Sequence, residues 1–204
     1  MQEFEDAIKP NTKLICLESP VSLVFTVQNI RAVAELAKKH GIKTYIDNSY
    51  CTPIFQNPLD LGIDMVMHTA SKYIGGHSDI IGGMLVTNDE ELIKEIRGFR
   101  GSFGSIIGPM EGWLMLRGAR TLDIRLQRHQ ETAMAVAKYL ENNEHVRVVH
   151  YTGLESHPQY ELVKQQQRGS NGLMSFEIES EGDDEKVYNF VRNLNIFQVG
   201  VSWG

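Results

Sequence analysis

The sequence predicts an α/β fold: a mostly parallel sheet with flanking helices, followed by part of a smaller α+β C-terminal domain. Three observations carry this. Strand, helix and strand patterns follow one another directly over residues 13–47. A second apolar run at 65–67 ends in two hydroxyls, a lysine and a glycine pair. Beyond a long amphipathic helix, the chain changes to strands separated by polar stretches and one more helix. Strand patterns alternating with helical ones indicate βαβ units and hence parallel pairing.

Residues 13–17 form the first strand, and Ile30, Val33, Ala34 and Ala37 then recur at helical spacing. Lys38, Lys39 and His40 sit at the end of that helix where the dipole favours cations, and Gly41 stops it. A strand at 44–47 follows at once, so a right-handed crossover between parallel strands is expected. Residues 65–67 make a third strand and 82–87 (GGMLVT) a fourth. Asn88, with Glu91 three residues on, is a capping pair for a helix carrying Leu92, Ile93 and Ile96. Five glycines between Gly98 and Gly112, with Pro109, predict either an irregular connection or a broken helix. From Thr121, residues Leu122, Leu126, Ala133, Val136, Ala137 and Leu140 share one face of a long helix ending near Asn142 and Asn143. Strands are expected at 146–151, 173–178 and 197–203, with a helix on Val187, Phe190, Val191 and Leu194 before the last. The polar stretch 151–172 is a connection. This divides the chain into a large domain, 1–120, and the start of a small one, 121–204.

A chain of 204 residues with 42% hydrophobic content has ample material for a core. A net charge of -6 without any Lys/Arg cluster argues against a nucleic-acid partner. Cys16 and Cys51 lack CxxC or metal-ligand spacing and are expected as reduced, small buried hydrophobes. The N-terminus is acidic and polar, unlike a signal peptide, and no later stretch is long enough to span a bilayer. A cytoplasmic protein without membrane or metal partners is therefore expected.

The chemistry gathers around DMVMHTASKYIGGHSD, residues 64–79. A strand end there presents Thr69, Ser71 and Lys72, and Gly75 with Gly76 lets the backbone turn beside a ligand. The strand at 44–47 delivers Asp47 to the same sheet edge. A lysine taken alone is usually a solvated cation, and two hydroxyls alone carry little; the combination is what selects this edge. His77 is expected as a structural histidine bonded to backbone. Arg117, Arg120, Arg125 and Arg128 are expected as a solvated or salt-bridged helix face. His68, His129 and His150 show no metal-ligand spacing.

HTASKYIGGHSD, with YIDN at 45–48 and LESP at 17–20, resembles the cofactor-lysine region of the Cys/Met-metabolism pyridoxal-phosphate (PLP) enzymes. These are the cystathionine γ-synthases, cystathionine lyases and methionine γ-lyases, and the similarity runs along essentially the whole chain. The resemblance implies a fold-type-I PLP-dependent transferase, a sulfur amino-acid substrate and a homo-oligomer, dimer or tetramer. It implies that Lys72 bonds the cofactor aldehyde and then serves as base, that Asp47 pairs with the pyridinium, and that Thr69 and Ser71 bind the phosphate. Ser22 stands where many members have an asparagine beside the cofactor ring oxygen, and Ser71 where a threonine is usual. Ser202 is placed near the substrate carboxylate. Family members are longer at both ends, so the chain is expected to be a fragment with little activity alone. ESPVS at 18–22 and VSWG at 201–204 look more like the cystathionine β-lyases, which favours β-elimination over the γ-acting alternatives. A catalytically inactive PLP-binding relative is the remaining alternative, supported by Ser22 alone. Strand alternation over 197–203 would point Ser202 and Trp203 to opposite faces, so that one of them lines the substrate pocket.

Overall fold

In the computed structural model, which describes residues 1–200 and 202–204, helix α1 (Gln2–Ala7) leads into β1 (Leu14–Glu18), α2 (Ile30–Lys39) and β2 (Lys43–Asp47). The Asn29 side chain accepts the Ala32 N–H and so satisfies a donor that the first turn of α2 leaves free. Gly41, at φ +67, reverses the chain after the helix, in a conformation that costs other residues strain. Ile30, Val33, Ala34 and Ala37 are buried against Ile15, Leu17, Ile46 and Val66, as their spacing requires. β1 and β2 pair in parallel.

Helix α3 (Thr52–Phe55) and a 3-10 turn (Pro58–Leu61) lead to β3 (Met65–Thr69), parallel to β2, and then to β4 (Gly83–Val86), antiparallel to β3. The sheet order is β1-β2-β3-β4. Alternation buries Ile46, Val66 and His68, and leaves Asp47, Met67 and Thr69 on the more open face. Asp47 lies opposite Met67 in register, so the carboxyl ends of β2 and β3 stand side by side. The same alternation corrects one expectation. Ile15 and Leu17 fill the core while Cys16 between them is exposed; only Cys51 is a buried thiol among the two.

Helix α4 (Glu90–Phe103) is capped by Asp89 rather than Asn88: its carboxylate accepts the Leu92 N–H at 3.0 Å. A charged cap also suits the helix dipole, and it meets the Lys43 ammonium at 3.0 Å. The glycine-rich stretch is the broken helix of the two expected forms. α4 continues through Gly98 and Gly101, Gly104 at φ +91 ends it, and Pro109 opens α5 (Pro109–Ala119).

Helix α6 (Leu122–Glu141) serves two cores. Leu122 and Leu126 pack with Tyr73, Ile74 and Met115, whereas Ala133 and Ala137 pack with Tyr151 and Leu154. Val136, expected on the packed face, is exposed. β5 (Val146–His150), α7 (Tyr160–Gln166), β6 (Ser175–Ile178) and α8 (Asp184–Arg192) follow, with β5 and β6 antiparallel. Two expectations change here. The polar stretch contains α7, which hid from sequence reading because it docks through amides as well as the buried Val163: Gln166 and the preceding Gln159 bond the backbone of residues 27–30. The strand expected at 197–203 is not formed over 197–200 or 202–204, and Val201 lies outside the described residues. Alternating apolar residues do not make a strand without a neighbour to take up its backbone bonds, and β6 pairs with β5.

Among the described residues no helix is long and apolar enough to cross a membrane, and no three His, Cys, Asp or Glu side chains gather as metal ligands would.

Three histidines are held below the ordinary imidazole value of 6.5. Burial acts on His68, against the pull of the Asp47 carboxylate; burial and the Arg125 charge act on His129; burial acts on His157, opposed by the Phe25 carbonyl. The unfolded chain takes up protons near pH 6.5 that the folded chain resists, so stability falls as pH drops through about 6.5. Asp64 and Asp89 are also held low, Asp64 by Thr44 and Lys43 against its burial and Asp89 chiefly by the Leu92 N–H, so they add to this loss only in the ordinary carboxylate range. Thermal melts are expected to give a lower Tm at about pH 5.5 than at about pH 7.5. Equal values would show that these rings do not resist protonation in the folded chain.

Candidate active site

The turn after β3 is built from its own backbone. The Lys72 N–H bonds the Thr69 carbonyl at 3.2 Å, the Gly75 N–H the Ala70 carbonyl at 2.8 Å, and the Gly76 N–H the Lys72 carbonyl at 2.8 Å. A Cβ on Gly75 would stand 2.8 Å from the Ala70 carbonyl oxygen, so this position excludes side chains. Lys72 is half-buried on this turn. Its Nζ donates to Ser202 Oγ at 2.8 Å and lies 5.0 Å from the centroid of the Trp203 ring. Its described contacts are thus a hydroxyl and an aromatic face rather than a carboxylate, which leaves the amine available as a nucleophile. His77 Nδ1 sits 2.8 Å from the Gly75 carbonyl, in the structural role expected of it.

Asp47 ends β2 with one carboxylate oxygen, Oδ1, accepting the Ser49 N–H at 2.8 Å. The Ser49 hydroxyl accepts the Thr69 N–H at 2.7 Å and so ties the end of β2 to the end of β3. Sequence reasoning missed Ser49, since a serine after YIDN carries no signal that separates it from any turn hydroxyl. Thr69 Oγ1 meets only the Met67 sulfur, at 3.6 Å, a weak acceptor that leaves the hydroxyl free to turn. Ser71 is engaged instead: Oγ accepts the Gly82 N–H at 3.0 Å and donates to the Gly82 carbonyl at 3.3 Å. Ser22 is exposed and donates to Glu18 Oε1 at 2.5 Å, and Glu18 is in register with Asp47 across the β1–β2 pair. The structure therefore brings Lys72 to Ser202, joins Asp47 to Thr69 through Ser49, and puts Ser22 beside the adjacent strand end.

Two expectations are corrected at this edge. Ser202 and Trp203 do not diverge; without a strand there, both turn to Lys72, and the Trp203 ring also lies 5.3 Å from that of Tyr73. Arg125 is not on a solvated face. It reaches the carbonyls of Tyr73 and Gly118, whereas Arg128 pairs with Glu131 on the surface.

A cofactor with an aldehyde, a basic ring nitrogen and a phosphate needs an amine, an anion and hydrogen-bond donors. Lys72, Asp47 and Thr69 supply these from one sheet edge, on the more open face, so the donor set fits such a group.

Comparison with known proteins agrees with this chemistry. The Cys/Met metabolism PLP-dependent enzyme family matches residues 1–204. The chain is 41% identical over 203 residues to a cystathionine gamma-lyase of Bacillus subtilis (strain 168), covering 100% of this chain and 53% of the relative. It is 40% identical over 202 residues to a cystathionine beta-lyase of the same organism, covering 99% and 51%. Among solved structures, a cystathionine gamma synthase from Xanthomonas oryzae pv. oryzae in complex with aminoacrylate and cysteine superposes with a TM-score of 0.93 at 39% identity, covering 98% of this chain and 51% of that one. The chain spans about half the length of the relatives it matches. With its whole length matched and its fold shared at this identity, the chain belongs to the Cys/Met metabolism PLP-dependent enzyme family.

Proposed function

We propose that this sequence serves a PLP-dependent carbon–sulfur lyase of sulfur amino-acid metabolism, a cytoplasmic homo-oligomer that cleaves cystathionine by β-elimination. The observation that carries the reading is the Lys72 amine, 2.8 Å from Ser202 Oγ, on the sheet edge that also presents Asp47 and Thr69. When bound, PLP supplies an electron sink for negative charge developing at the substrate α-carbon. Lys72 holds the cofactor through its amine and, once released, removes the α-proton. Asp47 keeps the pyridine nitrogen protonated. Thr69 donates to the phosphate, and Ser71 joins it by giving up Gly82. Ser22 stands beside the ring oxygen, exchanging its bond to Glu18. Ser202 orients the Lys72 amine and meets the substrate carboxylate, while the Trp203 ring lies over the lysine and excludes water.

β-Elimination needs one proton removed before the thiol leaves, whereas γ-chemistry needs a second, taken from the β-carbon. The ESPVS and VSWG patterns favour the first. The second has its own support in the relatives named cystathionine gamma-lyase and gamma synthase. A chain of full family length carrying this sequence, incubated with cystathionine, is expected to release homocysteine, pyruvate and ammonia. Cysteine with 2-oxobutanoate would assign γ-elimination instead.

A further inference from the structure

We propose that Arg125 is a positioning residue for Lys72: from α6 it clasps the backbone of the turn that carries the lysine and so sets where the amine stands. Its guanidinium donates from Nη1 to the Tyr73 carbonyl at 2.7 Å, and from Nη2 to the carbonyls of Gly118 at 2.9 Å and Ile74 at 3.5 Å. Nε donates to Thr121 Oγ1 at 3.1 Å. Every one of these acceptors is neutral, and burial alone holds the guanidinium below its usual pKa. A partly buried cation given only neutral acceptors is a poor device for stability. What the planar fork does provide is a rigid grip on neighbouring carbonyls at fixed angles.

The turn is shaped to receive it. Gly76 stands at φ +70, and a Cβ there would overlap Arg125 Nη1. A Cβ on Gly118 would meet the carbonyl oxygens of Gly75 and Ile74, so the end of α5, the turn and the guanidinium form one close-packed layer. One turn further along α6, the His129 ring meets the edge of Tyr73 with centroids 5.5 Å apart. Tyr73 is thus held at both its carbonyl and its ring, and Ser71 on the other side of the lysine is held by Gly82. Between two fixed neighbours the Lys72 backbone has one position. The amine's reach to Ser202 follows from it.

The inference rests on Lys72 being the cofactor amine, and the experiment keeps the two apart. Amide hydrogen exchange of the chain without cofactor is read at Gly75 and Gly76, and borohydride trapping of added PLP is read at Lys72, for the native sequence, Arg125→Met and Arg125→Lys. In Arg125→Met both glycine amides should exchange at least about tenfold faster, trapping at Lys72 should slow by about tenfold or more, and the visible absorbance band of the bound cofactor should shift, with unchanged far-UV circular dichroism. Arg125→Lys should recover only part of each effect, because one ammonium cannot reproduce the fork. Native exchange and trapping in a folded Arg125→Met chain would overturn the proposal. If that variant does not fold, native values in Arg125→Lys would overturn it equally. If the native chain carries PLP on another lysine, the reading of Lys72 falls, while the exchange rates still decide whether Arg125 orders the turn.

Discussion

Replacing Lys72 with alanine is expected to remove turnover, because two tasks depend on its amine. Loss of a positioned general base alone costs about 10²- to 10⁴-fold, and loss of the covalent hold on the cofactor adds to it. The fold should survive. The turn over residues 72–76 is made of backbone bonds that do not involve the lysine side chain, and the amine's described partners are the Ser202 hydroxyl and the face of Trp203. Kcat/KM on cystathionine, measured in a chain of full family length, checks the loss. Borohydride reduction of the unmodified protein checks its origin, since PLP should then be fixed on the peptide containing Lys72. Turnover within about threefold of native in the alanine variant, below the size that general-base loss carries, would remove Lys72 from the mechanism.

Asp47→Asn separates charge from geometry. The amide oxygen can still accept the Ser49 N–H that the carboxylate now accepts at 2.8 Å, so the tie from β2 through Ser49 to Thr69 should persist. Only the negative charge is lost. A neutral side chain cannot hold a proton on the cofactor ring nitrogen, and losing one preorganised electrostatic partner of developing charge costs about 10²- to 10³-fold in kcat. The variant should therefore still be trapped by borohydride at Lys72 yet turn over far more slowly. Native turnover would show that Asp47 is a strand-end acid without a catalytic part, which is its ordinary role in a turn beginning at Asn48.

The parallel β1–α2–β2 unit was legible in the sequence because everything that makes it is local. Ile30, Val33, Ala34 and Ala37 repeat at the helical period, Gly41 ends the helix, and alternation in the strands decides which side chains are buried. The same local chemistry marked Asp47, Thr69 and Lys72, since a strand end followed by a glycine pair carries its meaning within a dozen residues. Family resemblance extended this to the cofactor. What only the tertiary structure decided are the polar contacts between distant stretches. Gln159 grips the backbone of Val27 across 132 residues of sequence, Arg125 grips Tyr73 across 52, and Ser202 meets Lys72 across 130. Side chains that bind through single hydrogen bonds leave no periodic trace, and whether an arginine is solvated or clasps a carbonyl depends on where the chain returns. The paired approach of Ser202 and Trp203 to Lys72 has the same origin: alternation separates two neighbours only where another strand holds them in a sheet, and over residues 202–204 the chain forms none.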